Sequence, residues 1–369
     1  MGVKSYFPTR PFQVRASSLR PDVGQDRFVE YRSLAELRQL VERSFRLRVS
    51  IRLVFGSYGS GKTWALSWLW RELATPQGPL KCIVLGIPRI ETRGRPERGL
   101  VEALLRSLGE DHPELLPLGV ASAPGQASRN LISLRDHFAN WDDRQILTGG
   151  ASGSRVPASN EARGFSLART EDLIQLTLAV LEAIALAGFP RCLILIDELD
   201  APFLLAARKD RIIFSEFFRG IYDILISPDP KGATYPAVQF LLSGTSDLYR
   251  EFWPEAITKL TGRGSLMSAF IRRTETPFVL KPPTPPELDE IAMREITRTR
   301  EPPRRGWIPF EQDAISKAWE LSTRNLGQFI RLASDMYGLA EAEDAPRITK
   351  SHCLRAMKAY EEDGGGASE

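Results

Sequence analysis

Short, continuous apolar runs recur along the chain, separated by longer stretches with helical periodicity. Ile51–Phe55, Cys82–Leu85, Cys192–Ile196, Val238–Leu242 and Phe278–Leu280 are rich in β-branched or bulky residues and too short to be helices. Apolar runs without polar alternation suit strands covered on both faces, the environment of a parallel sheet. Between them lie helical patterns. One begins at Ser33, with Leu34, Leu37, Leu40 and Val41 on a single face, and others span Trp64–Leu73 and Leu173–Ala187. Thr170 is a suitable N-cap for the last of these, and Gly188 stands where a left-handed residue commonly ends a helix. Alternating strands and helices predict an α/β class, a three-layer sandwich around a mostly parallel, five-stranded sheet.

The alternation stops at Lys281-Pro282-Pro283-Thr284-Pro285-Pro286, and everything from there to about Tyr360 has helical character. The expected organisation is an irregular basic arm at 1–30, an α/β domain at 31–283, a small all-helical domain at 284–362 and a loose tail at 363–369. Gly119–Asn130 and Thr148–Gly164, rich in Gly, Ala and Ser, interrupt the pattern and read as surface insertions within 119–164.

Composition narrows the function classes. The 49 Lys+Arg against 46 Asp+Glu give a formal net charge of +3, which excludes a histone-like polycation. The basic residues are 39 Arg and only 10 Lys. A GC-rich genome produces such a skew through codon usage; phosphate recognition is the alternative, because a guanidinium forks onto phosphate oxygens. Residues 1–52 carry +6 and the remainder −3. Cys82, Cys192 and Cys353 lie far apart, and with three histidines they offer neither a disulfide framework nor zinc-ligand spacing. The N-terminus has no signal-peptide pattern. Leu173–Ala187 is too short to span a bilayer and contains Gln175 and Glu182. A cytoplasmic protein without membrane partners is expected.

The most specific motif is Gly56-Ser57-Tyr58-Gly59-Ser60-Gly61-Lys62-Thr63, a complete G-x-x-x-x-G-K-[ST] between an expected strand and the helix that opens near Trp64. Its glycines let the backbone wrap phosphates with N–H groups aimed inward, and the helix adds its positive end. Lys62 would bridge β- and γ-phosphates, and the Thr63 hydroxyl would bind Mg²⁺. Four fixed positions arise by chance in a chain of this length on the order of one per cent of the time. ATP with Mg²⁺ is the expected ligand.

Asp197 and Glu198 follow the apolar run Cys192–Ile196, so both carboxylates leave the carboxyl end of an expected central strand. Asp197 would hold Mg²⁺ together with Thr63, and Glu198 would orient the attacking water. Asp-Glu after a strand is also a common way to begin a helix; the upstream phosphate loop is what favours catalysis.

This Asp-Glu pair resembles that of the catalytic-glutamate division of P-loop ATPases. The N-K-x-D of small GTPases is absent, and Leu242-Ser243-Gly244 lies on the wrong side of the Asp strand for an ABC signature. Over roughly residues 25–360 the order of elements resembles AAA+ proteins, closest to the origin-recognition-like branch. That branch includes TniB/TnsC-type transposition regulators and BREX phage-defence ATPases. The resemblance implies a polar sensor at the end of the strand after Asp197, for which Thr245 and then Ser246 fit. It implies an arginine finger before the last strand, at Arg272 or Arg273, with Arg263 in reserve. Without the resemblance, the first is a polar turn and the second a solvated arginine pair. Pro285–Ile291 resembles the start of the first lid helix, Ser322–Arg331 the sensor-2 region, and Ile348–Tyr360 the last lid helix. Gly327 stands where many relatives have the sensor arginine, and Arg324 or Arg331 are the substitutes in reach.

The resemblance therefore implies an ATPase that assembles as a ring or helical filament. It would bind the DNA backbone and recruit a separate effector: a nuclease, transposase or helicase. The basic N-terminal block and the run Arg294, Arg298, Arg300, Arg304, Arg305 fit duplex binding, although Glu295 and Glu301 interrupt that run. No DNA-reading module follows the lid, so recognition by shape and backbone is expected. The competing reading is a STAND-like scaffold ATPase whose target is a protein. A metabolic kinase fits less well, since nothing resembles an acceptor site.

Overall fold

All five apolar runs become strands of one parallel sheet in the computed structural model. The structure describes residues 3–7, 11–12, 29–74, 80–90, 95–112, 115, 169–200, 202, 206–227, 234–248, 270–300 and 305–364. Both expected insertions, Arg263, Arg304 and most of the N-terminal arm lie outside those residues. The strands are β1 (Val49–Gly56), β2 (Cys82–Ile87), β3 (Arg191–Ile196), β4 (Ala237–Thr245) and β5 (Phe278–Val279). Their order is β2-β3-β4-β1-β5. The central register sets Ile83 opposite Cys192 and Ile194 opposite Phe240. Every residue of β3 after Arg191 is buried, as a strand covered on both faces requires. Because the strands are parallel, β1, β3 and β4 all end on the same edge of the sheet.

Five helices among the described residues accompany the strands: α1 (Arg32–Ser44), α2 (Lys62–Leu73), α3 (Pro96–Asp111), α4 (Thr170–Leu186) and α5 (Arg208–Ile226). The cap expected for α4 is displaced by one residue. Arg169 occupies the N-cap position without a side-chain cap bond, and Thr170 is the first helical residue. The Thr170 hydroxyl instead accepts a hydrogen bond from the Arg95 guanidinium at 2.7 Å, so a distant arginine takes the oxygen that would have capped the helix. Glu171 and Asp172 still place negative charge at the positive end of α4. Gly188 ends it as expected, with φ +89°.

The described chain divides into two compact units. One comprises Leu40–Phe55 and Leu69–Phe278; the other comprises Met1–Gln39, Gly56–Trp68 and Val279–Glu369. The first holds the sheet. Its core combines Leu53 and Phe55 of β1, Ile194 and Ile196 of β3 and Phe240 of β4 with the apolar faces of α3, α4 and α5. Phe218 anchors an aromatic cluster there, with ring centroids 5.1 Å from Phe214 and 5.5 Å from both Phe240 and Phe270.

The second unit contains the C-terminal helices α6 (Pro285–Thr299), α7 (Gln312–Leu321), α8 (Leu326–Ala342) and α9 (Lys350–Gly364). Thr284 and Glu287 open α6 as a capping box, with the Thr284 N–H donating to the Glu287 carboxylate at 2.7 Å. The last helix begins two residues later than expected. Ile348 is used instead in a bridge to Phe310, which stops the helix from starting there. This unit buries Leu288, Ile296, Trp319, Phe329 and Met336, and it also buries Val3, Phe7 and Phe12 from the expected arm. Phe12 packs edge-on against Phe310 and Phe329 at 5.5 and 5.9 Å, so the first residues of the chain are anchored by aromatic contact.

Candidate functional site

β1 is buried along its whole length and hands over to the glycine-rich loop at Gly56. Gly59 and Gly61 have φ +76° and +92°, a left-handed backbone that residues with a Cβ rarely adopt. The loop closes through the Ser60 N–H, which donates to the Ser57 carbonyl at 3.1 Å, and α2 follows at Lys62. The first turn of a helix directs its N–H groups and its positive end toward the preceding loop, which makes the segment an anion cradle. The Lys62 ammonium is folded across this loop, donating to the Gly56 and Ser57 carbonyls at 3.0 Å each. Thr63 and Trp64 lie in the same first turn of α2. Trp64 stacks on Tyr31, with ring planes 14° apart and centroids at 6.1 Å. Burial, reinforced by the Glu287 carboxylate, raises the Tyr31 hydroxyl above its ordinary range and keeps it neutral. Tyr58, at the tip of the loop, is 90% exposed.

The start of α8 lies against the same loop. The Gly327 N–H donates to the Gly59 carbonyl at 2.7 Å, and the Asn325 amide donates to the Tyr58 carbonyl. Position 327 is thus a backbone contact. Arg324 and Arg331, the candidate substitutes, are both exposed. Thr323 and Arg324 adopt consecutive left-handed conformations, φ +52° and +60°, in the turn between α7 and α8.

In the sheet unit, Asp197 is only 3% exposed at the end of β3. Its N–H donates to the Ile87 carbonyl at 2.9 Å, and its carboxylate accepts a hydrogen bond from the Ser243 hydroxyl. Glu198 has φ +53°, a left-handed conformation for a non-glycine residue, and its side chain is half-exposed. The Arg89 guanidinium, on the segment after β2, stands 3.5 Å from it. The sensor candidate Thr245 donates its hydroxyl to Asp200 at 2.5 Å, and its N–H donates to the same carboxylate at 3.1 Å. Ser246 is half-buried and begins a short helical turn.

Ser243, Asp200 and Arg89 escape a reading of the sequence. The first two carry a usable signal. Ser243 and Thr245 are two apart on a strand and therefore share a face, while Asp197 and Asp200 bracket the turn after the neighbouring strand. Arg89 carries none.

The two finger candidates differ sharply. Arg273 makes a bidentate pair with Asp223 at 2.8 and 2.9 Å and lies 5.8 Å from the Tyr222 ring centroid. Arg272, its neighbour, is exposed. Most of the basic run on and after α6 is paired locally. Arg298 meets Glu295 at 2.8 Å, Arg305 meets Glu290 at 2.8 Å, Arg294 is 4.0 Å from Glu290, and Arg300 lies 5.5 Å from the Tyr6 ring centroid. Among the described residues no three His, Cys, Asp or Glu side chains gather as a metal site, and no helix is long and apolar enough to cross a membrane.

No protein-family model matches this chain, and no curated protein matches it. Among solved structures it is similar to the ORC2 protein of Aeropyrum pernix, determined as ADPNP–ADP complexes. That likeness has a TM-score of 0.53 at 13% identity and covers 96% of this chain and 72% of the other. It is also similar to a Walker-type ATPase of Pyrococcus abyssi, with a TM-score of 0.51 at 15% identity over 89% of this chain and 74% of the other. At these identities the likeness is one of architecture: the chain shares with them an α/β fold with a helical C-terminal region.

Proposed function

We propose that this chain binds and hydrolyses Mg–ATP and couples that cycle to self-assembly on DNA and to control of a separate nuclease, transposase or helicase. The observation that carries the ATPase reading is the loop Gly56–Thr63, with two left-handed glycines and Lys62 folded across it. Such a loop suits a polyphosphate: its N–H groups and the ammonium supply donors, and the carbonyls that hold Lys62 would release it to the β- and γ-phosphate oxygens. Mg²⁺ would neutralise charge on the same oxygens. Thr63 and Asp197 would hold it through one hydroxyl and one carboxylate, hard oxygen donors of the kind Mg²⁺ takes. Glu198 would accept a hydrogen bond from the attacking water. As the water oxygen bonds to the γ-phosphorus and the bridging P–O bond breaks, the proton passes toward that carboxylate. Thr245 or Ser246 would sense the γ-phosphate. Exposed Arg272 would serve the site of a neighbouring copy.

The DNA reading rests on the +6 charge of residues 1–52 and on the resemblance to the origin-recognition-like branch. The arginines of 294–305 add little, because their pairing with glutamates cancels much of the charge a phosphate would meet. Fluorescence anisotropy on random duplex DNA, with ATP, ADP or no nucleotide across a salt series, tests it. ATP-dependent binding that weakens steeply with salt is expected. Binding in no nucleotide state, from a chain that still hydrolyses ATP, would leave the scaffold ATPase acting on a protein partner.

A further inference from the structure

We propose that Asn325 and Gly327 are positioning residues for the phosphate loop, forming a latch that couples the docking of α8 to nucleotide affinity. The proposal rests on the ATPase reading and deepens it. Asn325 has two tasks at once. Its side-chain oxygen accepts from the Gln328 N–H at 3.0 Å, capping α8, while its amide nitrogen donates to the Tyr58 carbonyl. Two residues on, the Gly327 N–H donates to the Gly59 carbonyl at 2.7 Å. Two of the N–H groups that a helix start leaves without intrahelical acceptors are therefore satisfied, one by the cap and one by the loop.

Close approach is possible only because both surfaces lack a Cβ at the contact. A Cβ on Gly327 would lie 3.0 Å from the Gly59 Cα and 3.1 Å from the Gly59 carbonyl oxygen, both backbone atoms that cannot swing aside. A Cβ on Gly59 would in turn collide with the Asn325 side chain. At position 327 the helix therefore meets the loop through main chain.

The consequence follows from peptide geometry. The Tyr58 and Gly59 carbonyls belong to the same planar units as the Gly59 and Ser60 N–H groups, and in a trans peptide the two dipole ends point in opposite directions. Holding both carbonyls fixes the planes of both peptide units: the Ser60 N–H stays on the Ser57 carbonyl, and the Gly59 N–H is held pointing away from the Tyr58 carbonyl. The hydrogen bond to the Tyr58 carbonyl also polarises the Gly59 N–H, making it a better donor to an anion. A docked α8 thus favours phosphate binding, and bound phosphate must favour docking to the same extent.

Two substitutions separate this role from helix stability. Asn325→Ser keeps an equally good N-cap acceptor without adding charge beside the loop, but loses the amide donor to Tyr58. Gly327→Ala installs the better helix former where its Cβ would press on Gly59. Each full-length variant is titrated with mant-ATP and Mg²⁺ beside wild type, and the melting temperature is measured without nucleotide. The expected result is a dissociation constant raised about ten-fold in each variant, the scale of one or two lost hydrogen bonds, at an unchanged or raised melting temperature. Amides 326–328 should also exchange more slowly with solvent when wild type binds mant-ATP. Wild-type affinity in both variants overturns the latch and leaves the ATPase reading intact. Weakened binding that only tracks a lowered melting temperature overturns it as well. Failure of wild type itself to bind mant-ATP overturns the ATPase reading.

Discussion

The phosphate loop and the arginine pair at 272–273 depend on the rest of the molecule to very different degrees. The loop is shaped by its own residues: two left-handed glycines turn it, and Lys62 reaches carbonyls only five and six residues behind. Arg272 and Arg273 are chemically identical neighbours. What separates them is Asp223, fifty residues earlier, whose two carboxylate oxygens hold one guanidinium by two of its nitrogens and leave the other in solvent. A function that depends on local backbone shape is written in consecutive residues. A function that depends on which of two equal side chains stays available is decided by a contact.

The largest effect tests the arginine side of that contrast. Arg272→Ala should lower kcat about 10³-fold or more under conditions where the chain assembles, if Arg272 meets the developing charge on a neighbour's ATP. Arg273→Ala should stay within about ten-fold of wild type on the same reading. Phosphate-release kinetics alongside sedimentation decides between them, and the reverse ranking would transfer the finger to Arg273. Next in size, Glu198→Gln should reduce turnover by about 10²- to 10⁴-fold while mant-ATP still binds, since only proton acceptance is lost. Normal hydrolysis by this variant would falsify the assignment of Glu198.

On the loop side, Lys62→Ala should weaken mant-ATP binding by about ten- to a hundred-fold, the scale of a hydrogen bond to a charged group. The smallest effect belongs to the pair that sets the contrast. Arg273 and Asp223 are 22% and 41% exposed, so solvent screening limits their contribution. Arg273→Ala should cost about 1 kcal/mol or less, a melting-temperature shift of a few degrees at most by calorimetry.

Much of the architecture was legible because it follows from periodicity. The five apolar runs mark the five strands to within a few residues, since strands buried on both faces are mostly apolar, although buried Arg52 interrupts β1 and buried Gln239 interrupts β4. Gly188 ends α4 where its left-handed preference says it should. Errors arise where a remote residue intervenes. Thr170 loses its capping role because Arg95 takes its hydroxyl, and Ile348 is drawn into a bridge with Phe310 before α9 can begin. The burial of Val3, Phe7 and Phe12 was not readable, because three apolar residues among prolines and basic residues carry no period. At the site, Lys62, Thr63, Asp197 and Glu198 were named from motif spacing. The bonds from Ser243 to Asp197 and from Thr245 to Asp200 were not, because they join segments more than forty residues apart.

The sequence by itself determined the alternation of strands and helices, the phosphate loop and the acidic pair after β3, because each is a matter of local conformation and of consecutive residues. Tertiary structure alone decided which arginine is held and which is exposed. It alone placed a lysine-free helix start against the loop, with Asn325 and Gly327 gripping the Tyr58 and Gly59 carbonyls. Those outcomes depend on distances between residues far apart in the chain, and hydrogen bonds form only where the fold brings donor and acceptor within about 3 Å.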